Sequence, residues 1–403
     1  MSLNRRRFIF LSGLTLSGAT TALACTKSGS QATAQHSFTS SASTSSASTQ
    51  NASTLSVSTS SAQSGQSVGP SGLYAPKRGD IRLAVISDLN SAYGSTHYRP
   101  EVIKGIDYLP GWQPDMVLCA GDMVAGQSLN LSESEVEAMW SAFDEKILSR
   151  IRAAGLPFAI TIGNHDGSSS QQAGEFIYVL DRNETEKYWN GHQSDTDLTF
   201  VEADGFPFYY SFKQNDIFYL TWDASSANVP AAQVAWAERA LASPEAQSAK
   251  LRIVMGHLPM YAVSQRRDRP GEYLNQADEL RDLLVRHNVH TYISGHHHAY
   301  FPGKSMDANG TLNALHCGAL GSGPKSLLTA ANAPFQTLTV MDIFLSDGST
   351  VYTTYNMNTL EVVDPSMLPR LIVGPNGKVL RQDVVASELT PEEQSQPYVP
   401  SDA

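Results

Sequence analysis

The stretch Gly163-Asn164-His165-Asp166 follows directly on the apolar run Pro157-Phe-Ala-Ile-Thr-Ile162. A short apolar run that contains β-branched residues predicts a buried strand. The glycine lets the backbone turn at the end of this strand, so that an amide, an imidazole and a carboxylate are presented together. Open α/β sheets bind their ligands at the carboxyl ends of the strands. The stretch therefore predicts a ligand site at the edge of a sheet.

Four further apolar runs end in polar residues of the same kind. The additional strands are predicted over residues 81–86, 115–120, 251–255 and 290–294. The polar residues at the five strand ends are, in order, Asp88 and Asn90, Asp122, Asn164 with His165 and Asp166, His257, and His296 with His298. Helical patterns lie between several of these strands, and antiparallel strands follow them. This order predicts an α/β domain in which the sheets pack in layers.

Each of these polar residues has an ordinary structural explanation when it is taken alone. An aspartate after a strand is often a helix N-cap, and an asparagine there is often a turn residue. Several carboxylates and imidazoles at one edge would, however, leave buried charges uncompensated unless a cation lay among them. Mixed Asp, Asn and His ligands suit Zn²⁺, Mn²⁺ or iron better than Ca²⁺. The number of ligands favours two ions that share one carboxylate.

The five motifs, taken in order, resemble those of the calcineurin-like metallophosphoesterases. They are Asp88-Leu-Asn90, Gly121-Asp122, Gly163-Asn164-His165-Asp166, Gly256-His257 and Gly295-His296-His297-His298. The resemblance covers about residues 80–300, and five ordered motifs make it specific. It implies a four-layer α/β fold, in which two mixed β-sheets pack as a sandwich and are flanked by helices.

The resemblance also implies a role for each residue. The implied metal ligands are Asp88 and His298 for the first ion, Asp122 as the bridge, and Asn164, His257 and His296 for the second ion. His165 is the implied catalytic acid, and Asp166 is placed to orient it. The implied cofactors are two divalent or mixed-valent metal ions, with Mn, Fe and Zn as candidates. The implied reaction is hydrolysis of a phosphate ester by a metal-activated hydroxide, with leaving-group protonation by His165.

Two residues depart from the patterns of this family. Asn90 stands where the family usually has a histidine that binds the first metal. An amide oxygen is a weaker and harder ligand than imidazole, so we expect this metal site to bind more loosely or to prefer a harder ion. Ala125 occupies the position of the tyrosine ligand of purple acid phosphatases, which argues against that subfamily.

Two functional hypotheses follow from the motifs and from the departure at Asn90. The first is an enzyme that hydrolyses small phosphate esters. The alternative is a non-catalytic, exported protein that binds metal or phosphate and has lost turnover through Asn90. The intact pair His165 and Asp166 favours the enzyme, because binding alone needs no proton donor. Monoesters, diesters, nucleotides and proteins all remain candidate substrates.

The N-terminal residues predict an export signal. Asn4-Arg5-Arg6-Arg7-Phe8 places arginines before a mildly apolar run and resembles a twin-arginine signal. That run is rich in Gly, Ser and Thr, so it is a poor candidate for a membrane span. Ala22-Leu23-Ala24 fits a cleavage site, and Cys25 follows it. Lipidation of Cys25 would anchor the protein to a membrane at the cell envelope, whereas plain cleavage would leave it soluble in the periplasm.

Composition divides the chain and limits its partners. We predict an export signal at 1–24, a Ser/Thr-rich linker at 25–74, a metallophosphoesterase domain at 75–382 and a polar tail at 383–403. The net charge of −11 argues against a nucleic-acid partner. A small phosphate ester remains compatible, because bound metal ions supply a local positive field. No oligomeric state is predicted.

Two smaller features are open to more than one interpretation. Cys119 and Cys317 each lie in a strand-like run, and two unpaired buried thiols are favoured over a disulfide. The loop Gln265-Arg266-Arg267-Asp268-Arg269-Pro270-Gly271 follows His257 closely. Its arginines either hold a second anionic group of the substrate or form a solvated basic turn.

Overall fold

The computed structural model describes residues 68–307, 309–329 and 333–401. The predicted export signal, Cys25 and the predicted linker up to residue 67 lie outside the described residues. In the ranges that are described, no helix combines the length and the apolar character needed to cross a membrane.

Strands and helices alternate in the first half of the described chain, and strands dominate the second half. The described strands are β1 (Ile81–Ile86), β2 (Met116–Cys119), β3 (Phe158–Ile160), β4 (Gln171–Gln172), β5 (Glu175–Phe176), β6 (Phe200–Gly205), β7 (Tyr209–Gln214), β8 (Ile217–Thr221), β9 (Leu251–Met255), β10 (Thr291–Ser294), β11 (Tyr300–Asp307), β12 (Gly310–Cys317), β13 (Thr337–Ile343), β14 (Thr350–Asn356), β15 (Leu371–Gly374) and β16 (Gly377–Arg381). The described α-helices are α1 (Pro100–Trp112), α2 (Glu133–Phe143), α3 (Ser149–Ala153), α4 (Asn164–Gly167), α5 (Val179–His192), α6 (Ala231–Leu241), α7 (Pro244–Gln247), α8 (Ala277–Arg286) and α9 (Pro391–Ser395). A π-helical turn, Asp144–Leu148, joins α2 to α3.

The first sheet has the strand order β14-β13-β1-β2-β3. Strands β1, β2 and β3 are parallel, whereas β13 and β14 are antiparallel to their neighbours. Arg82 on β1 lies opposite Asp342 on β13, and the two form a fully buried ion pair at 2.8 Å. Because β1, β2 and β3 are parallel, their carboxyl ends lie at one edge, which is where Asp88, Asp122 and Asn164 follow.

The second sheet has the order β15-β16-β11-β12-β10-β9-β8-β7-β6. Strands β8, β9, β10 and β12 are parallel to one another, and antiparallel strands flank them on both sides. His257 follows β9 and His296 follows β10, so both histidines also lie at the carboxyl ends of neighbouring parallel strands. Both sheets are therefore mixed, as predicted.

Alternating side chains of the second sheet face two separate apolar cores. On β8, Ile217 and Tyr219 belong to the core shared with the first sheet and with helices α1 and α2. Phe218 and Leu220 belong to the core beneath helices α6 and α8. Full burial of one such side chain contributes about 1.5–3 kcal/mol. The layers are thus helix, sheet, sheet and helix, which confirms the predicted fold class.

The region 167–205, between the predicted strand that ends at Ile162 and the second sheet, contains an ordered helix. Helix α5 packs its Trp189 against Phe143 of α2 and Phe158 of β3, with ring centroids 6.0 and 6.3 Å apart. The buried Arg182 of α5 pairs with Asp223 at 2.9 Å. Strand β6 ends the region and forms the edge of the second sheet.

Two smaller predictions concern the cysteines and the C-terminal stretch. Cys119 and Cys317 are both free and buried, as expected. Residues 383–401, which fall in the predicted polar tail, include helix α9. Glu393 of this helix pairs with Arg370 at 2.9 Å. Val384 belongs to a small apolar cluster with the strand residue Leu371.

Candidate metal centre

The residues predicted for the site lie together where the carboxyl ends of the two sheets meet. Eight of them are buried, namely Asp88, Asn90, Asp122, Asn164, Asp166, His257, His296 and His298, and His165 is half-buried. Contacts cross between the sheets at this point. His257, which follows β9, lies 3.3 Å from Asp122 after β2. His298, beyond β10, lies 3.2 Å from Asp88 after β1.

Four of these residues have a left-handed backbone conformation, which residues other than glycine rarely adopt. The φ angles are +52° at Asp88, +57° at Asp122, +64° at His296 and +50° at His298. Such angles cost free energy and persist only where the surrounding structure holds them, typically at functional sites. Here they turn each side chain sharply from its strand end towards the space between the sheets.

The glycines that precede the polar residues allow the strand ends to approach one another closely. A Cβ atom on Gly163 would overlap the carboxylate and the backbone amide of Asp122. A Cβ atom on Gly295 would overlap the hydroxyl of Ser87. Since backbone cannot yield as a flexible side chain can, glycine at these positions keeps the ligand groups within reach of one another.

The first group of potential ligands is formed by Asp88, Asp122 and His298. Nδ1 of His298 donates a hydrogen bond to the carbonyl oxygen of Gly323 at 2.9 Å, which leaves Nε2 unprotonated in the neutral ring and facing Asp88. Within the described part of the chain, neither His298 Nε2 nor Asp122 Oδ2 makes a hydrogen bond, although both atoms are buried. Buried polar atoms without partners are rare in proteins and call for an explanation such as an ion.

The second group is formed by Asn164, His257 and His296. Oδ1 of Asn164 lies 2.9 Å from Nε2 of His257 and 2.8 Å from Nδ1 of His296. Nδ1 of His257 donates to the carbonyl oxygen of Ala120 at 2.7 Å, so its Nε2 is the nitrogen left for a ligand bond. Three electron-pair donors thus converge on one point.

The residues present fit divalent cations. Ligand atoms of Asp88, Asp122 and His257 all lie within 4.8 Å of one another, and all three residues are buried. Burial alone would lower the pKa of His257, but the carboxylates of Asp122 and Asp88 raise it to about 9. The site thus favours positive charge among its carboxylates, which a metal ion supplies more strongly than a proton does.

Glu272, which the sequence did not point to, lies directly behind His296. Its Oε2 atom is 3.0 Å from Nε2 of His296 and 2.5 Å from Nη1 of Arg267. A carboxylate only accepts hydrogen bonds, so Nε2 of His296 carries the proton and Nδ1 is left to bind metal. A carboxylate behind a ligating histidine orients the ring and raises its basicity.

Replacing Glu272 by glutamine should weaken metal binding. Glutamine keeps the shape and one acceptor but removes the charge that makes His296 a better donor. We expect the dissociation constant of the metal to rise by about 10- to 100-fold. A chelator-competition titration of the purified protein measures it. Glu279→Gln, on the exposed face of α8, is the matched control. An affinity for Glu272→Gln equal to that of the control would contradict this role.

His165 faces a cavity beside the ligands. Its backbone N–H donates to Oδ1 of Asp122 at 2.8 Å, and its Nδ1 donates to the carbonyl oxygen of Gly126 at 3.0 Å. These two contacts fix the ring and direct its Nε2 edge away from Gly126. The cavity has a volume of about 490 Å³ and is also lined by Asn90 and His298.

The predicted orienting role of Asp166 needs correction. Its carboxylate accepts four backbone hydrogen bonds of 2.7–3.0 Å, from Asp122, Met123, Val124 and Gly163. It therefore ties the strand end that carries Asp122 to the strand end that carries His165. The ring of His165 is held instead by a main-chain carbonyl. Asp166 acts on the shape of both loops and not on the imidazole directly.

Asn90 is buried beside the first group of ligands. Its Oδ1 atom accepts a hydrogen bond from the hydroxyl of Ser322, and the same hydroxyl lies 3.2 Å from its backbone oxygen. The amide oxygen is thus already bound to a protein group. This contact adds to the chemical reason for a looser first metal site.

The substitution Asn90→His should tighten the first metal site by about tenfold, because imidazole is the stronger ligand for Zn²⁺, Mn²⁺ or iron. The side chain lines the 490 Å³ cavity, which leaves room for the larger ring. Metal titration of the apoprotein measures the change. Asn130→His, at an exposed position, shows what an added histidine does elsewhere. An unchanged affinity would mean that position 90 does not face the metal.

The arginine-rich loop after His257 fits the interpretation as a solvated turn only in part, and Arg267 has a role that neither interpretation included. Arg267 is mostly buried and pairs with Glu272, and its Nη1 lies 3.3 Å from Nε2 of His296. Arg269 remains largely exposed, 3.7 Å from Glu272. One arginine of the loop thus supports the metal centre through Glu272, and another is a surface residue.

Comparisons with known proteins agree with this arrangement. A family profile for calcineurin-like phosphoesterases matches residues 81–300, which is more than half of the chain. No curated protein sequence matches. Among solved structures, the chain is similar to purple acid phosphatase PPD1 from yellow lupin (Lupinus luteus) seeds, with a TM-score of 0.52 and 17% identity. The likeness covers 72% of this chain and 55% of the lupin chain, so the chain spans about half the length of that protein.

Two further solved structures are similar at lower TM-scores. A dimetal phosphatase from Danio rerio has a TM-score of 0.43 and 11% identity, over 66% of this chain and 93% of that one. GAP50, the anchor in the inner membrane complex of Plasmodium, has a TM-score of 0.42 and 16% identity. This likeness covers 70% of this chain and 87% of the GAP50 chain. The lupin structure shows a shared fold, while the profile match covers all five motifs. The chain therefore belongs to the calcineurin-like phosphoesterase family.

Proposed function

We propose that this protein is an exported enzyme that hydrolyses small phosphate esters with two bound metal ions. The observation that carries the proposal is the convergence of Asp88, Asp122 and His257 on one buried point, beside a cavity that His165 lines. When bound, the ions would activate water and neutralise the oxygens of the phosphate.

Asp122 is proposed to bridge the two groups of ligands. Its Oδ2 atom lies 3.3 Å from Nε2 of His257, which belongs to the second group. Ligand atoms of the same residue and of Asp88, from the first group, also lie within 4.8 Å of each other.

His165 is proposed to protonate the leaving group. Its position needs no metal contact, since its Nδ1 is bound to Gly126 and its Nε2 edge is free for the cavity. The carbonyl oxygen of Gly126 accepts a hydrogen bond from Nδ1 of the ring, which leaves Nε2 as the nitrogen that can exchange a proton with the substrate. Proton transfer of this kind contributes about 10²–10⁴ in rate.

The test is hydrolysis of p-nitrophenyl phosphate by protein freed of metal with a chelator and then reloaded with Mn²⁺, Zn²⁺ or Fe²⁺. Activity that returns with metal supports the enzyme. Stoichiometric metal binding without hydrolysis of aryl, alkyl or diester substrates would instead support the non-catalytic alternative. The same assay ranks the three metals.

Export is part of the proposal and rests on the sequence alone. The arginine cluster at residues 5–7 supports a twin-arginine route, and Cys25 after Ala22-Leu23-Ala24 supports a lipid anchor. The substrate would then be met in the periplasm or at the membrane surface. Cell fractionation of wild type and Cys25→Ser distinguishes an anchored protein from a soluble one, and Arg5→Lys with Arg6→Lys tests the route.

A further inference from the structure

The cavity beside the metal centre extends from the ligands to the protein surface. His298 and His165 line its inner part, and Tyr93 and Arg99 from the loop between β1 and α1 line it as well. Ser322 closes it from the opposite loop. If His165 protonates the leaving group, the leaving group must occupy this cavity, because the proton donor is in its wall. The following inference rests on that part of the proposed function.

Arg99 is a cation in the wall of this cavity. It is exposed, and its guanidinium makes no hydrogen bond or ion pair with any other residue that the structure describes. Other arginines of this acidic chain, such as Arg82 and Arg182, are bound to carboxylates. A free guanidinium can bind a carboxylate or a phosphate through two parallel hydrogen bonds. Its position at the cavity therefore suits an anionic group on the substrate.

Tyr93 offers a flat surface next to the proposed acid. Its ring centroid lies 5.2 Å from that of His165, with an angle of 39° between the planes. The side chain is 64% exposed although it is large and aromatic. Aromatic side chains pack well against planar rings, in stacked or tilted arrangements. The ring thus adds an apolar contact for a planar group that is attached to the ester oxygen.

We propose that the preferred substrates are phosphate esters whose leaving group combines a planar ring with a second negative charge. The ring contacts Tyr93, the charge binds Arg99, and the ester oxygen lies within reach of His165. Both a carboxylated aryl phosphate and a nucleoside diphosphate, with its base and its second phosphate, carry this chemistry.

A matched pair of esters tests the charge. 4-Carboxyphenyl phosphate and 4-carbamoylphenyl phosphate have nearly the same shape and differ in the charge of the leaving group. We expect the wild type to prefer the carboxylate, and Arg99→Gln to reduce the ratio of the two kcat/KM values by about tenfold, the scale of a charge-assisted hydrogen bond. Arg239→Gln, on the exposed face of α6, is the control and should leave the ratio unchanged.

The outcomes separate this inference from the proposed function. If both esters are hydrolysed and Arg99→Gln has the same ratio as wild type, the anion site is refuted while the enzyme stands. If neither ester is hydrolysed but p-nitrophenyl phosphate, an alkyl ester or a diester is, this inference falls and the enzyme stands. If none of these substrates is hydrolysed with any metal, both proposals fall. Tyr93→Ala should raise KM for both aryl esters, whereas Tyr93→Phe should not, and equal KM values in the two variants would refute the ring contact. ADP is then tested with wild type and Arg99→Gln. Phosphate release that is slower in Arg99→Gln would favour the nucleotide, and no release by the wild type would favour the carboxyaryl ester.

Discussion

Replacing Asp122 by alanine is expected to remove both metal ions together. Asp122 is the residue proposed to bind both ions, and its Oδ2 atom is buried without a hydrogen bond among the described residues. Loss of a single preorganised electrostatic group typically costs about 10²–10³ in rate, so loss of both ions should cost at least about 10³. Elemental analysis of the purified variant gives the metal equivalents per chain, and a phosphate-release assay gives the rate.

Two companion variants make this experiment decisive. Asp107→Ala removes an exposed carboxylate from α1 and should keep both metal equivalents. Asp122→Asn keeps the acceptor for the backbone N–H of His165 but lacks the charge, so it should fold like wild type and still bind metal poorly. If Asp122→Ala retained one full equivalent of metal, the bridging role would be wrong.

The positions of the site residues could be predicted because they follow from short-range rules. Each of the five strands is a brief apolar run, and each polar group comes within a few residues of its end. Parallel strands then bring Asp88, Asp122 and Asn164 to one edge without any knowledge of side-chain contacts. The buried thiols Cys119 and Cys317 could be predicted for a similar reason, since both lie inside apolar strands.

Helix α5 could not be predicted from its pattern, because several of its buried residues are polar. Asp181, Arg182 and Glu184 are all buried, so the apolar spacing that marks a helix is missing. The burial of Arg182 depends on Asp223, 41 residues further along the chain. An ion pair between distant residues leaves no local signal in one sequence.

The residues that support the site could not be predicted either, because their contacts also join distant parts of the chain. Glu272 lies 24 positions before His296, and the carbonyl of Gly126 that holds His165 is a main-chain group present at every position. The role of Asp166 was misjudged because adjacency in sequence suggested contact with His165. A carboxylate at the start of a helical turn instead binds the free N–H groups around it.

His165→Ala is the second variant for which we expect a large effect. The ring makes its protein contact through Nδ1 with Gly126 and lies on the cavity side of the ligands, so its loss should leave metal content near that of wild type. The rate of hydrolysis should fall by about 10²–10⁴ for alkyl esters, since an alkoxide leaves only when it is protonated. For p-nitrophenyl phosphate the loss should be much smaller, because p-nitrophenolate needs little help to leave.

The dependence on leaving group is what separates an acid from a structural residue. A variant that merely disturbed the loop would slow both classes of ester alike, whereas loss of a proton donor penalises the poorer leaving group. His287→Ala, at the end of α8, controls for the removal of an imidazole away from the cavity. Equal losses of kcat on p-nitrophenyl phosphate and on an alkyl phosphate would sink the assignment. In that case the two loops that carry Asp122 and His165, which Asp166 ties together, would owe their importance to shape alone.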